Sequence, residues 1–302
     1  MAELKKVKAS MMNAVHDLPL LVARDEGFFR DEGLEVDVMV TPGSGQHNSD
    51  DRALKDDIFK RGLEATYDQG QCDQFRMCEW GIMKRAVETI QEKNLRPAKI
   101  VALGSAMSSF AIVVDPRSGI YEPEQLKNVP IAVSQFNGSH FTMLKMMEGF
   151  IKRDEIKIAN HGTHRQRMEA VMSGKVKAGS LQEPWISVAE AKGARVIMES
   201  HSTRSEAAGD EMDGPTLAKM FRAEARAAEA IQKNPEKYAH YIVEEAGGMI
   251  GVKDLKLSRI LNAPPAPYTR ERFDDNYNWT LSWGLVPPGA TYENTVDNRA
   301  WH

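Results

Sequence analysis

Apolar residues alternate strictly at Leu34, Val36, Val38 and Val40, which predicts a half-buried strand opened by Gly33 and closed by Pro42-Gly43-Ser44-Gly45. Before it, Leu20, Leu21, Ala23 and Phe28 share one side of a helical period, so residues 19–29 read as a helix after a first strand over 5–12. The switch between the two periods recurs along the chain. Strands are expected at 72–77, 99–103, 110–114, 126–133, 155–159, 176–181 and 194–198, and helices at 82–92, 140–152, 165–173 and 186–192. Residues 46–66 are polar and charged, with an exposed loop expected at 47–52 and a short helix at 53–60. The character changes after 214. An alanine-rich helix at 215–233 ends at Asn234-Pro235, another at 236–245 ends at Gly247-Gly248, and a last one covers 273–283. Residues 264–268 read as a stiff extended connection, and the tail beyond Pro287-Pro288 as loosely structured. Strands alternating with helices predict an α/β fold with mainly parallel sheets.

Composition narrows the function classes. The 302 residues are 42% hydrophobic and 27% charged, which suits a globular chain of two ordinary domains or one large one. A net charge of -4 and the lack of a long basic run argue against nucleic acid as a partner. The longest apolar runs, such as 18–23, fall far short of the roughly 20 residues a membrane span needs. The first eight residues carry lysines but no apolar signal region. The expected location is therefore cytoplasmic if Met1 is the native start, and periplasmic if a leader was removed. Cys72 and Cys78 give no disulfide framework and are too few to hold a structural zinc. No metal or cofactor is expected, and the oligomeric state stays open.

Two segments echo one another. Gly70 to Glu79-Trp80 leads into a helix and the strand at 98–103, and Gly174 to Glu183-Pro184-Trp185 leads into a helix and the strand at 194–198. Each is a short strand, a loop with Glu and Trp, a helix and another strand. Two similar α/β lobes would place one such loop each at a shared cleft, where ligands bind at the carboxyl ends of strands.

The opening unit, with an apolar helix, Gly27-Phe28-Phe29 and Gly33-Leu34-Glu35-Val36, resembles that of the SsuA/TauA/NMT1-like group. Further matches are Ala170 to Ala178, with Lys177 where aspartate is usual, Glu183-Pro184, and the late helix from Ala225 into Asn234-Pro235-Glu236. The resemblance spans about residues 5–290. It implies a type II periplasmic-binding-protein fold with two lobes and a small ligand between them. Residues 1–108 would form the first lobe and 109–205 the second, with 206–302 returning to the first and adding C-terminal helices. The implied function is solute capture for an ABC permease, in the sulfonate, nitrate or thiamine-precursor class. The alternative is a cytoplasmic enzyme on the same fold, a lyase or hydrolase acting on a small aromatic or heterocyclic compound. Thr66-Tyr67-Asp68-Gln69 is similar to a stretch of the biphenyl sulfinate desulfinase. That enzyme's cysteine lies in the first strand–helix loop, which here reads Asn13-Ala14-Val15-His16-Asp17. The yeast-type pyrimidine synthase places a lysine and a histidine where this chain has Met77-Cys78-Glu79-Trp80-Gly81.

The candidate site residues follow from these loops. Asn13, His16 and Asp17 are expected at the cleft, with His16 a general base or hydrogen-bonding group and Asp17 also suited to capping the next helix. Gly43, Ser44 and Gly45 offer backbone N–H groups to an anion. Glu79 and Trp80, mirrored by Glu183 and Trp185, suit a ligand with a positive or amide group. Ser134, Asn137, Gly138, Ser139 and His140 form a strand-to-helix loop, with Ser139 as the expected N-cap. In the enzyme alternative, His16, Cys78 and Glu79 are the catalytic groups. His161 and His164 are a further cleft-edge pair, without a third ligand for a metal.

Overall fold

A computed structural model describes residues 3–40, 63–91 and 95–302. The chain opens with β1 (Lys5–Met11), α1 (Ala14–Asp25), α2 (Phe28–Asp31), β2 (Leu34–Val40) and α3 (Leu63–Asp68). Next come β3 (Gln74–Cys78), α4 (Glu79–Gln91) and β4 (Lys99–Val114). The middle holds β5 (Pro130–Val133), α5 (Gly138–Met147), β6 (Lys157–Asn160), α6 (His164–Met172), β7 (Ala178–Gln182), α7 (Trp185–Ala191) and β8 (Arg195–Ala208). The remainder is mostly helical, with α8 (Gly214–Lys233), α9 (Pro235–Glu244), β9 (Leu261–Asn262), α10 (Arg270–Ser282) and α11 (Tyr292–Thr295). The expected loop at 47–52, the helix at 53–60 and the Gly43-Ser44-Gly45 turn lie outside the described residues.

The strands form one nine-stranded sheet in the order β2-β1-β3-β8-β4-β7-β5-β6, with β9 pairing to β4. Its two flanks are parallel: β2-β1-β3 on one side and β7-β5-β6 on the other. They are joined by antiparallel pairing of β4 and β8. These two strands are longer than the pattern suggested. Residues 99–103 and 110–114 belong to one 16-residue strand, and the strand expected at 194–198 runs on to Ala208. The intervening stretches, 104–109 and 199–206, are rich in serine and charge and lack apolar alternation. They are extended because Ser105, Ser108, Ser109 and Ser205 are buried in the ladder rather than exposed in loops. The β4–β8 register shifts between Leu103 and Met107. A side chain at Gly104 would meet Glu206 Oε1 at 2.7 Å and the Arg204 carbonyl at 3.1 Å, so that crossing point requires glycine.

Local chemistry sets the helix ends. Gly27, at φ 79°, ends the first helix before Phe28, where the pattern had carried it through to Phe29. α8 starts at Asp213, whose carboxylate accepts from Thr216 N at 2.7 Å. It buries Leu217, Met220, Phe221, Ala227 and Ile231 against α1 and α9. The tail beyond Pro288 is more ordered than expected: α11 forms there, and Val296 bridges to Ile100. No described helix is long and apolar enough to cross a membrane.

A cluster of charges lies inside this framework. Arg76 on β3 donates to Glu206 of β8 at 2.7 Å and to Glu224 of α8 at 2.5 Å, and Asp17 of α1 stands 3.6 Å away. Gln74 donates to Glu206, and Ser105 to Glu224. All of these side chains are buried. Removing one partner leaves an uncompensated charge, so Arg76→Met should lower the unfolding free energy in urea by about 3–5 kcal/mol. Arg165→Ala, which breaks an exposed pair with Glu169, should change it by less than about 1 kcal/mol.

Candidate functional site

The turn after β1 is built by its own side chains. Asp17 Oδ2 accepts from Met12 N at 2.7 Å and Asn13 N at 3.2 Å. Asp17 therefore holds the loop behind it, instead of capping the helix ahead. Its backbone leaves helical geometry at φ -128°, ψ 16°, just before Pro19. Asn13 is the N-cap, its Oδ1 accepting from His16 N at 3.1 Å and meeting His16 Nδ1 at 2.7 Å. Ala14 N donates to the carboxyl of half-buried Glu245, which follows α9. His16 and Asp17 are both buried by this arrangement. The helix thus begins five residues earlier than its apolar pattern indicated.

β3 runs directly into α4, so Cys78 closes a strand and Glu79 opens a helix, where a Cys78-Glu79-Trp80 loop had been expected. In the ladder Cys78 stands opposite Arg204, and Arg76 opposite Glu206. Arg204 is buried; its Nη2 donates to the Arg76 carbonyl at 3.2 Å and its Nε has no partner. No described carboxylate forms an ion pair with it. Gly138, the first residue of α5, approaches from the other flank of the sheet. A Cβ there would lie 3.6 Å from Phe110 Cζ and 4.0 Å from Cys78 Cβ. The Phe110 ring lies 6.5 Å from that of His16 and 6.2 Å from that of His164. The starts of α1, α5 and α6 and the end of β3 therefore converge around Phe110, midway along the crossing strand β4.

Electrostatics around Phe110 are set by burial and by arginine. Burial, then Arg204, holds His16 well below the usual imidazole range. Burial pushes the Cys78 thiol up to about 11, against the opposing pull of Arg204. Arg167 on α6 is a second buried cation. It donates to the carbonyls of Gly162 at 2.7 Å and His161 at 3.4 Å, and meets His164 Nδ1 at 2.6 Å. Burial alone lowers its guanidinium to about 9.

The remaining candidates fall into two groups. In the α5 loop the cap is Asn137, whose Oδ1 accepts from Ser139 N at 3.0 Å and Ser139 Oγ at 2.7 Å; Ser139, the expected cap, lies inside the helix. Asn137 wins because it sits one residue before the first helical residue, Gly138. Ser134 N donates to Ser139 Oγ at 3.4 Å. His140 Nδ1 accepts from Phe136 N at 3.2 Å, and burial lowers this imidazole to about 4. Phe136 itself is left-handed at φ 60°, a strained setting for an aromatic residue.

The two Glu/Trp units are matched in their chemistry but turned inward. Glu79 is bound by Arg272 and Asn276 of α10, by Tyr268 Oη at 2.9 Å and by Thr203 Oγ1 at 2.5 Å. Glu183 pairs with Arg259 at 3.0 Å and accepts from Ser187 N and Oγ. Trp80 packs in the core at 5.1 Å from Phe141 and 6.0 Å from Trp279, and Trp185 packs beside Ile186 and Leu181. Both carboxylates are committed to arginines from the C-terminal third. Arg204 and Phe110 were not singled out in the sequence. The signal for Arg204 is the spacing of Ser202, Arg204 and Glu206, which is strand-like but polar.

No protein-family model and no curated protein matches the chain. Solved structures do. The alkanesulfonate-binding protein SsuA from Xanthomonas axonopodis pv. citri, bound to MOPS, superposes with a TM-score of 0.71 at 13% identity, over 95% of this chain and 96% of that one. The periplasmic aliphatic sulphonate binding protein SsuA from Escherichia coli gives 0.68 at 14% identity, over 98% and 92%. The periplasmic nitrate-binding protein NrtA from Synechocystis PCC 6803 gives 0.70 at 12% identity, over 95% and 83%. The chain has the type II periplasmic-binding-protein fold that its opening unit implied.

Two measurements follow. Burial raises Glu245 from 4.5 to about 7, so the unfolded chain loses this proton first. Its contribution to stability is then greatest below pH 4.5 and is lost as pH rises to about 7. Glu245→Gln retains an acceptor for Ala14 N and should flatten that part of the stability–pH curve by about 3 kcal/mol, read by urea unfolding between pH 4.5 and 7.5. Cys78 should react slowly with a thiol reagent at pH 7.5 in the native protein and rapidly in guanidinium.

Proposed function

We propose that this chain is a solute-binding protein that captures a small anionic organic ligand in the crevice around Phe110 and delivers it to an ABC permease. The observation that carries this reading is Arg204, a buried guanidinium with an unpartnered Nε and no described carboxylate within ion-pair distance, Asp17 and Glu206 acting on it only from farther off. A cation left this way favours an anion brought from outside. The start of α5 adds to the attraction, since helix N-termini favour negative charge. Two neighbours of the fold, by their names, bind alkanesulfonate and nitrate, both anions.

The two flanks of the sheet would act as lobes, one from residues 1–108 and 206–302 and the other from 109–205. Two segments cross between them, β4 and β8, and the stretch from β9 to Ala266 pairs alongside β4, Ala266 exchanging hydrogen bonds with Leu103. Bending at the Leu103–Met107 irregularity would close the lobes on the ligand. Ligand contacts are then drawn from His16, Arg204, Phe110 and Gly138, with Asn13 and Asn137 as supports. Extracytoplasmic capture accords with this role. A nucleophilic Cys78 requires a depressed thiol pKa, and burial works in the opposite direction.

Native mass spectrometry of the purified protein should reveal a bound organic anion. Calorimetry should show Arg204→Met weakening that anion's binding at least 30-fold, about the effect of truncating one partner of a buried charged contact. Undiminished affinity in a folded Arg204→Met variant, or a neutral or cationic ligand in the native protein, would overturn the reading.

A further inference from the structure

His16 carries a second instruction for the ligand. Asn13 Oδ1 accepts the backbone N–H of His16, so that atom is the amide oxygen and not the nitrogen. The same oxygen lies 2.7 Å from His16 Nδ1. Two acceptors cannot make that contact, so Nδ1 carries the ring proton. A neutral imidazole holding its proton on Nδ1 leaves Nε2 as a bare acceptor. Burial, with the charge of Arg204 acting on the ring, keeps it neutral. Nε2 receives no hydrogen bond from any described residue.

We infer that His16 is locked as the Nδ1–H tautomer and presents Nε2 as an acceptor beside Arg204, so the ligand pairs its anionic group with an adjacent N–H or O–H donor. The inference rests on the anionic-solute reading above and narrows its substrate class. An anion without a donor would satisfy Arg204 but bury Nε2 unpaired. An unmade hydrogen bond of this kind costs about 1–3 kcal/mol, which is roughly a 5- to 150-fold preference between otherwise matched ligands. The geometry thus separates hydroxy- or amino-substituted anions from donorless ones of the same size and charge.

Matched probes test this. Methanesulfonate and sulfamate differ by a methyl against an amino group, and acetate and glycolate by an added hydroxyl. Calorimetry of the wild-type protein should show the donor-bearing member of a pair bound at least 5-fold more tightly. In His16→Phe the preference should fall below 2-fold, mainly by weakening the donor-bearing probe. Long-range ¹H–¹⁵N correlation spectra of the wild-type protein should show His16 protonated at Nδ1, which requires no variant to fold. Equal binding within both pairs, or an Nε2–H tautomer, would overturn the inference while leaving the anionic-solute reading in place. Failure of all four probes, with a non-anionic ligand found bound to the purified protein, would overturn that reading and the inference with it.

Discussion

The buried cluster of Asp17, Arg76, Glu206 and Glu224 is the constraint on which the rest depends. It ties the start of α1, the strand β3, the crossing strand β8 and the long helix α8 to a single guanidinium. Burial on its own would make this costly. Its cost is offset because Arg76 meets two carboxylates directly and Gln74 and Ser105 bond the same acids. Burial raises Glu206 to about 8, which eases the excess of negative charge. Gly104 is part of the same device, since only a residue without a side chain lets the Glu206 carboxyl lie over the bulge in β4.

The crevice inherits its properties from that cluster. Asp17 is held in place beside Arg76, and its other oxygen shapes the Met12–Asn13 turn. The turn positions Asn13, and Asn13 orients His16. Arg204 sits two residues from Glu206, on the same face of β8, so the register that makes the ion cluster also brings a guanidinium beside Cys78. A cation that lacks a carboxylate therefore stands next to a cluster in which carboxylates outnumber cations.

Glu79 and Glu183 illustrate the reverse case. The echo of Glu and Trp after two strands is real in the structure, since both units lead from strand to helix. Their carboxylates meet Arg272 and Arg259, residues roughly 190 and 76 positions later in the chain, so they serve to pin the C-terminal third onto the two flanks. Nothing within either local segment reveals that partner.

What the sequence determined by itself was whatever rests on local periodicity and on backbone chemistry. Leu34 to Val40 alternate and form a strand, the long helix after 214 ends at Asn234-Pro235, and the opening unit led to the fold. Tertiary structure alone decided the central halves of β4 and β8 and the residues around the crevice. Serines 105, 108 and 109 and the run from His201 to Glu206 look like loop by composition. They are strands because β8 and β9 pair with this part of β4, and because Ser105 bonds Glu224, Ser109 the Arg259 carbonyl, and Arg76 Glu206. Pattern reading registers apolar burial. This site is made of polar groups buried by distant partners, and only the assembled chain brings those partners within reach.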